Sequence, residues 1–389
     1  MILSTSFLRL ATLLSVFSVV LASSSAEPFN PRSYKKEVAT CKAVHRAEGK
    51  DVDIDIHYVD INPEAEQTMI FVHGWPSLWS SWKYQIEEFK DDYRLLVPDL
   101  RGFGSSTHPD DVKSSGNMGD MVSDLVCVLE KAGVEKAICV GHDWGSQICY
   151  EAARSRPDIF TAIVGIAIPY IPSHGPFIPI AALTTQLPRL SYQIFFDSAT
   201  PAAIAELEKD VRRTLRGTLR TVETAPPSGF LESRESFLEG WREVGEIDPI
   251  PFFTPDEEDY WVEQYAIQGF RNTLQFYTTE NRKASWKIAH DHGNHTIPQP
   301  VLSILPDQDP VANWVLAAKL LHSADFLPDY EMHELHGAHW VHLENPVETN
   351  KVMRSWLEGL EKRGTRATEE EAVGSSDGKA DEERVKDEL

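Results

Sequence analysis

Short runs of consecutive apolar residues constrain the fold of this chain more than any other feature. They stand at 69–72, 95–97, 137–140, 162–166 and, after a long gap, 301–305. Strands that are buried on both faces of a sheet have this pattern, because helices cover both faces. Residues 52–58 instead alternate apolar with polar side chains, which is typical of a half-exposed antiparallel strand. The sequence therefore predicts an α/β fold with a mostly parallel central sheet flanked by helices.

The stretch between the apolar runs at 162–166 and 301–305 is too long for a loop. Its apolar residues recur at helical spacing, at Ile204, Leu207, Val211, Leu215 and Leu219. We therefore predict a core in two parts, 27–170 and 298–362, interrupted by an inserted helical cap domain at 171–297. The many aromatic side chains of the insertion indicate a lipophilic pocket.

Composition excludes several classes of protein. The 389 residues are 42% hydrophobic and 25% charged, as in a well-packed globular protein rather than a disordered or coiled-coil chain. A net charge of −23 disfavours nucleic acid as a partner, because phosphate groups would repel the protein. The four cysteines show no C-x-x-C or zinc-type spacing, so no metal or cofactor is expected.

The cysteines give no sign of a disulfide framework. Cys127, Cys139 and Cys149 lie in apolar segments, so we interpret them as buried small hydrophobic residues. The pairing of Cys41 is undecided at this stage.

Both ends of the chain have the composition of targeting segments. Arg9, an apolar run at 10–22 and small residues at 23–26 predict a secretory signal peptide at 1–26. The run is shorter than the roughly 18 to 20 residues that span a bilayer, which disfavours the alternative of an uncleaved membrane anchor. The acidic segment 363–389 has too few apolar side chains to fold and is expected to be a disordered tail.

The tail ends in Lys386-Asp387-Glu388-Leu389, the signal by which a receptor returns soluble proteins to the endoplasmic reticulum. Combined with the signal peptide, it predicts residence in the lumen of that compartment, with the KDEL receptor as a partner. The sequon that begins at Asn294 is then a candidate for glycosylation.

The segment Gly141-His142-Asp143-Trp144-Gly145 follows the apolar run at 137–140 and precedes a helix-like stretch. Glycines two positions either side of a central residue permit a sharp strand-to-helix turn, the nucleophile elbow, which exposes that residue at the edge of the sheet. The usual central residue is serine, but here it is Asp143. Because a carboxylate displaces at saturated carbon to form an ester, serine-type esterase chemistry is disfavoured.

A second motif, His73-Gly74-Trp75-Pro76, follows the run at 69–72. Backbone N–H groups at such a turn and directly after the nucleophile can converge on the oxyanion of a tetrahedral intermediate. Our candidates for this oxyanion hole are Trp75 and Trp144. Pro76 is expected to fix the turn, by a cis bond or otherwise, so that the first N–H is aimed at the site.

A general base and its acidic partner should follow later strands. Asp307 and Asp309 come after the run at 301–305, and His336 and His339 come about thirty residues later. We favour Asp309 and His339, which complete the chain order nucleophile, acid, base of the α/β-hydrolase architecture. Histidines recur every three residues at 333, 336, 339 and 342, as in a candidate metal site. Gly337 interrupts this series and the H-E-x-x-H pattern is absent, which disfavours zinc.

Together these motifs resemble the α/β-hydrolase fold epoxide hydrolases, whose relatives include haloalkane and fluoroacetate dehalogenases. The resemblance covers residues 40–360 and includes the segments 99–106 and 339–340 beside the motifs above. In that family two tyrosines of the cap bind the epoxide oxygen. Since 191–196 and 270–277 match their surroundings, the resemblance implies that Tyr192 and Tyr277 have this role.

The resemblance implies hydrolysis of a lipophilic epoxide by water to a vicinal diol, without a cofactor. Asp143 would form an ester with an epoxide carbon, and water activated by His339 and Asp309 would cleave that ester. A dehalogenase, with halide bound by N–H donors such as Trp144, is the first alternative. The tyrosine pair disfavours it, because a departing halide needs no proton donor. A non-catalytic lumenal binding protein gives no reason to retain nucleophile, acid and base together.

Overall fold

The computed structural model describes residues 29–363. The predicted signal peptide and the C-terminal retrieval signal lie outside these residues. Within the described part, no helix is both long and apolar enough to cross a membrane.

A single sheet of eight strands forms the centre of the described chain, in the order β1-β2-β4-β3-β5-β6-β7-β8. The first three strands in this order pair antiparallel, and the other pairs are parallel. The predicted mostly parallel sheet is therefore confirmed. The strands are β1 (Lys36–His45), β2 (Lys50–Ile61), β3 (Thr68–Val72), β4 (Arg94–Pro98), β5 (Ala137–His142), β6 (Phe160–Ile166), β7 (Val301–Pro306) and β8 (Tyr330–Leu335).

Helices cover both faces of the sheet, and six of them lie in the insertion between β6 and β7. They are α1 (Lys83–Phe89), α2 (Met118–Ala132), α3 (Trp144–Ser155), α4 (Ile180–Leu183), α5 (Ser191–Ser198), α6 (Thr200–Lys209), α7 (Val211–Thr218), α8 (Pro255–Gln268), α9 (Thr279–His292), α10 (Trp314–Leu320) and α11 (Val341–Glu344). Residues 346–363 are helical as well. The central strands β3, β5 and β7 are buried along their whole length, as their continuous apolar runs predict.

Local sequence explains where the core helix α2 begins and ends. Asn117 caps α2 and forms a capping box with Asp120, so that two backbone N–H groups at the helix start are satisfied. Gly133 follows the last turn in the left-handed conformation, at φ 70°, which glycine adopts without a Cβ clash. The helix packs its apolar face against the core beside β1 and α3.

The segment 171–297, predicted as a cap, contains α4 to α9. Its regular apolar spacing belongs to two helices rather than one continuous helix, because Asp210 interrupts it in an extended conformation at φ −151°. The Asp210 side chain then accepts from the N–H of Arg213 and caps α7. A short 3₁₀ helix, Asn272–Tyr277, lies just before α9 and is entirely buried.

Polar contacts attach this segment to the core at many points, of which three illustrate the arrangement. The indole Nε1 of Trp75 donates to Thr273 Oγ1 at 3.0 Å. Gln275 donates from Nε2 to the backbone carbonyl of Arg101 at 2.8 Å. On the other side, the buried Lys83 ammonium pairs with Glu257 at 2.9 Å. The 3₁₀ helix that carries Tyr277 is therefore held directly against the core loops.

All four cysteines are paired, which corrects the interpretation of Cys127, Cys139 and Cys149 as free hydrophobic residues. Cys41 of β1 bonds to Cys127 of α2, and Cys139 of β5 bonds to Cys149 of α3. The apolar surroundings were identified correctly, but pairing depends on Cα–Cα distances of 5.8 and 5.5 Å that only the fold creates. The second disulfide joins the strand and the helix on either side of Asp143.

Removing these disulfides should destabilise the fold unequally. Loop entropy predicts a loss of roughly 4 to 5 kcal/mol for Cys41–Cys127 and roughly 2 to 3 kcal/mol for Cys139–Cys149, because the first encloses the longer loop. Urea unfolding of the Cys41→Ala/Cys127→Ala and Cys139→Ala/Cys149→Ala variants measures both losses. Free thiols in the unreduced, urea-unfolded wild-type protein would contradict the pairing itself.

Candidate active site

Asp143 occupies a sharp turn between β5 and α3. Its backbone has φ 56° and ψ −122°, in a region that residues with a side chain seldom adopt. A Cβ on Gly145 would lie 1.9 Å from the carbonyl oxygen of Val72, and a Cβ on Gly141 would lie 2.3 Å from that of Gly145. Only glycine permits this approach, and the buried carboxylate is consequently held at the carboxyl edge of the sheet.

One backbone N–H group donates to the Asp143 carboxylate, and a second follows Asp143 directly in the chain. The N–H of Trp75 donates to Oδ1 at 2.9 Å. Trp144 is the first residue of α3, so its N–H is one of the amides that have no acceptor within the helix. Gly74 must lack a side chain, since a Cβ would lie 2.3 Å from Oδ1. The Trp75–Pro76 peptide bond is cis.

The His73 ring is hydrogen-bonded to the turn at Gly74. Its Nδ1 donates to the Gly74 carbonyl at 2.8 Å, and its Nε2 accepts from the N–H of Leu100 at 3.0 Å. The imidazole is fully buried, so these two bonds satisfy both nitrogens and join the turn to the loop after β4.

His339 lies between two carboxylates. Its Nε2 is 3.4 Å from Asp143 Oδ2, and its Nδ1 is 2.7 Å from Asp309 Oδ2. Asp309 also accepts from the N–H of Val311 and from the indole of Trp314, both at 2.8 Å. His142 donates from Nε2 to the backbone carbonyl of His339 at 2.9 Å, which fixes the backbone of His339 as well.

The alternative acid and base, Asp307 and His336, contact each other away from Asp143. His336 Nδ1 lies 3.1 Å from Asp307 Oδ2, and the His336 side chain is 71% exposed. Asp307 also accepts from the N–H of Gly337. The structure thus brings Asp309 and His339 to Asp143 and directs Asp307 and His336 to the surface.

Mutual charge pairing sets the protonation of the centre. Burial opposes ionisation of Asp143, but the hydrogen bond and charge of His339 hold the Asp143 pKa below its usual 3.8. Burial likewise lowers the pKa of His339, yet Asp309 and Asp143 outweigh it and raise that pKa to about 10. The resting site therefore holds an ionised nucleophile beside an imidazolium at neutral pH.

Tyr192 and Tyr277 come together above this centre although they belong to different elements, α5 and the 3₁₀ helix. Their rings lie 5.6 Å apart. Burial raises the pKa of Tyr192 and of Tyr277 above 10, and the nearby Asp143 carboxylate adds to both rises. Both phenols are neutral at physiological pH and can donate an O–H.

Aromatic rings enclose the space between the tyrosines and the elbow. Tyr277 packs edge-on against Trp75, Trp144 and Phe196, with ring centroids 5.1 to 5.6 Å away. Phe237 contacts both Trp75 and Tyr192. The arrangement suits an apolar substrate with one hydrogen-bond acceptor.

Sequence reasoning did not identify Trp314, Gln193, Thr273 or the support from His142. His142 belongs to the elbow motif beside Asp143, and Trp314 lies five residues after Asp309, but the sequence does not show that either side chain forms a hydrogen bond in the site. Gln193 donates to the Tyr192 hydroxyl at 3.3 Å and is its neighbour in sequence, which is the one signal that could have found it. Among residues 29–363, no group of three or more His, Cys, Asp or Glu side chains is arranged to hold a metal ion.

Comparison with known proteins gives one family. The sequence profile of the alpha/beta hydrolase fold matches residues 67–346. Bifunctional epoxide hydrolase 2 of Rattus norvegicus is 27% identical over 308 residues, which cover 78% of this chain and 53% of that protein. The chain thus spans about half the length of the bifunctional relatives it matches. Epoxide hydrolase A of Mycobacterium tuberculosis is 28% identical over 325 residues, covering 80% of this chain and 96% of that protein.

Solved structures of epoxide hydrolases superpose on this chain. An epoxide hydrolase from an endophytic Streptomyces superposes with a TM-score of 0.66 at 28% identity, covering 85% of this chain and 96% of its own. Epoxide hydrolase A from Mycobacterium thermoresistibile superposes with a TM-score of 0.70 at 23% identity, covering 84% and 99%, and this similarity shows the fold alone.

Neutralising Asp143 should lower the pKa of His339. Asp143→Asn removes the carboxylate charge, as an ester would, so the imidazole should titrate below the value of about 10 in the wild type. The pairing of His339 with Asp143 stabilises the fold fully below about pH 6.5, and this stabilisation is lost as the pH rises toward 10. Compared with the wild type, Asp143→Asn should therefore be less stable mainly at pH values below 10. NMR titration of the imidazole and unfolding at several pH values measure these effects.

Asp307→Asn is the matched control, because Asp307 contacts His336 rather than His339. It should leave the titration of His339 unchanged. An equal pKa of His339 in the wild type and in Asp143→Asn would contradict the assigned coupling.

Proposed function

The chain belongs to the alpha/beta hydrolase fold family, and we propose that within this family it is an epoxide hydrolase that converts a lipophilic epoxide to a vicinal diol. The observation that carries the proposal is the position of two neutral phenols, Tyr192 and Tyr277, over an ionised carboxylate. Epoxide opening needs both components, since a nucleophile must attack carbon while a donor stabilises the departing oxygen. The epoxide hydrolases among the relatives support the same reaction.

In the first step, Asp143 attacks an epoxide carbon and the bond from that carbon to the ring oxygen breaks. Oδ1 accepts from the Trp75 N–H, so we assign the attack to Oδ2, which lies 3.4 Å from His339 Nε2, and Oδ1 becomes the carbonyl oxygen of the ester. The developing alkoxide accepts hydrogen bonds from Tyr192 and Tyr277 and takes the phenolic proton of one of them. That phenolate is reprotonated through water by the proton that His339 gives up once Asp143 is esterified. The product is a hydroxyalkyl ester of Asp143.

In the second step, water attacks the ester carbonyl carbon. Esterification removes the negative charge of Asp143, which lowers the pKa of His339 and favours the neutral imidazole that can accept a proton from water. Asp309 orients this base through Nδ1. The N–H groups of Trp75 and Trp144 stabilise the oxyanion. Its collapse breaks the bond from the carbonyl carbon to the alkyl oxygen, which takes the remaining proton of the added water, so that the diol leaves and Asp143 is again a carboxylate beside the His339 imidazolium.

The dehalogenase alternative requires N–H donors that are free to bind a leaving halide. The Trp75 indole is not free, because it donates to Thr273. The phenols, by contrast, suit an alkoxide, which needs a proton, better than a halide, which does not.

We also propose that the protein resides in the lumen of the endoplasmic reticulum, through its signal peptide and Lys386-Asp387-Glu388-Leu389. The two disulfides support this location, since they persist in oxidising compartments and are rare in the cytosol. Asn294 is exposed in the loop after α9, where an oligosaccharide could be attached.

Purified protein should form diols from a panel of aryl and aliphatic epoxides. Asp143→Ala should abolish the reaction, and Tyr192→Phe or Tyr277→Phe should each slow ester formation by about tenfold, the effect of one lost hydrogen bond. Diol formation is measured by mass spectrometry, with halide release from haloalkanes and haloacetates assayed in parallel. Halide release without diol would make the protein a dehalogenase.

His339→Gln should separate the two steps. Without the base, the ester should accumulate to one equivalent per protein and diol release should stop, as intact-protein mass spectrometry can show. His336→Gln is the matched control and should leave both steps unchanged, because His336 pairs with Asp307 at the surface. Undiminished turnover in His339→Gln would contradict the assigned base.

Deleting residues 386–389 should release the protein into the medium of cultured eukaryotic cells, whereas the intact chain stays inside. Asn294→Gln should remove a glycosidase-sensitive mobility shift. Retention of the truncated protein in a carbonate-resistant membrane fraction would instead identify the N-terminal segment as an anchor.

A further inference from the structure

Two side chains connect α9 to the hydroxyl of Tyr192. Arg282 of α9 donates from Nη1 to Oε1 of Gln193 at 3.3 Å. Gln193 of α5 in turn donates from Nε2 to Oη of Tyr192 at 3.3 Å. Gln193 and Tyr192 are buried, and Arg282 is partly buried, so the connection passes through the interior of the cap segment.

Arg282 determines which way the Gln193 amide faces. A guanidinium has five N–H donors and no acceptor, so only the carbonyl oxygen of the amide can face it. The NH₂ group of Gln193 must then face Tyr192, and the phenol oxygen must accept from it. Because a phenol has one proton, the O–H of Tyr192 remains available to a different acceptor.

That acceptor would lie on the side of the nucleophile. The Tyr192 ring is 5.6 Å from the Tyr277 ring, and Asp143 is close enough to add to the effect of burial on the Tyr192 pKa. Tyr277 is the other hydrogen-bond partner of the Tyr192 side chain. With its oxygen already accepting from Gln193, the Tyr192 phenol can give its proton to an epoxide oxygen placed for attack by Asp143.

Resting on the proposed epoxide hydrolase function, we propose that Arg282 and Gln193 are positioning residues that turn the Tyr192 O–H toward the epoxide oxygen during ring opening. Neither residue needs to touch the substrate. As the Asp143–carbon bond forms and the carbon–oxygen bond breaks, the proton is already directed at the oxygen that becomes negative. Ester hydrolysis, which depends on His339 and backbone N–H groups, does not use this orientation.

Gln193→Glu reverses the polarity of the connection at nearly constant shape. The introduced carboxylate accepts from both Arg282 and Tyr192, so it withdraws the Tyr192 proton from the substrate. Single-turnover ester formation should slow about tenfold, as in Tyr192→Phe, whereas the rate of ester hydrolysis should be unchanged. Arg282→Met should give a smaller slowing of the same step, and Arg282→Lys, which keeps a donor, should restore most of the rate.

A double-variant series distinguishes positioning from general damage to the fold. In a Tyr192→Phe background, adding Gln193→Glu or Arg282→Met should cause no further slowing, because the hydroxyl on which they act is absent. Arg234→Met is the matched control, since Arg234 is an exposed cap arginine that donates to Thr184. Further slowing in the Tyr192→Phe background, or an equal loss in both steps, would overturn the proposal.

Crystal structures test the orientation without relying on the reaction. In Gln193→Glu the distance from Tyr192 Oη to the introduced carboxylate should shorten from 3.3 Å to about 2.6 Å, because the phenol now donates to a charged acceptor. A distance that stays unchanged would contradict the orientation. If the wild type makes no diol while this distance shortens, the proposed function fails and the hydrogen-bond assignment stands.

Discussion

The candidate site depends on a backbone approach that no side chain larger than hydrogen permits. Gly145 packs against the carbonyl of Val72, and Gly74 packs against the carboxylate of Asp143. Because β3 and β5 are parallel neighbours, the loops after them leave the sheet side by side at its carboxyl edge. The Trp75 N–H can reach Asp143 only because both glycines leave this space open. The nucleophile and its oxyanion donor are therefore positioned by strand pairing rather than by flexible side chains.

The second constraint on the site is the burial of charged side chains, whose excess negative charge is stabilised by neutral hydrogen-bond donors. Two carboxylates, Asp143 and Asp309, face one imidazolium at His339, which leaves one negative charge uncompensated. The N–H groups of Trp75 and Val311 and the indole of Trp314 donate to these carboxylates and distribute that charge. The phenols above stay neutral because burial raises their pKa, and the negative charge of Asp143 adds to that rise. One electrostatic arrangement thus keeps the nucleophile ionised and the oxygen ligands protonated.

The sequence predicted the central strands and the elbow because their signals are local. Continuous apolar runs identify strands that are covered on both faces, and paired glycines identify the turn. The edge strands β1 and β8 gave weaker signals. The buried face of β1 is formed by Ala39, Cys41 and Ala43, which are small, and β8 is partly exposed and rich in Glu.

Contacts between distant segments could not be predicted in the same way. Disulfide pairing joins residues up to 86 positions apart, and Gln193 meets a partner 89 positions away. Neither pairing leaves a pattern in one sequence, since each depends on how whole elements pack. Asp309 and Asp307 illustrate the same limit, because both follow β7 and only the fold separates the one beside His339 from the one at the surface.

The cap segment and the core cannot be treated as independent contributors to this chemistry. Trp75 gives its backbone N–H to Asp143 and its indole to Thr273, four residues before Tyr277. A displacement of the 3₁₀ helix that moves Tyr277 away from the nucleophile therefore also pulls on the residue that supplies the oxyanion hole. Both tyrosines are almost fully buried, so the aromatic rings around them limit access of water. In the proposed two-step reaction this coupling matters, because Trp75 contacts both the 3₁₀ helix of Tyr277, a proposed donor in ring opening, and Asp143, whose ester the backbone N–H is proposed to help cleave.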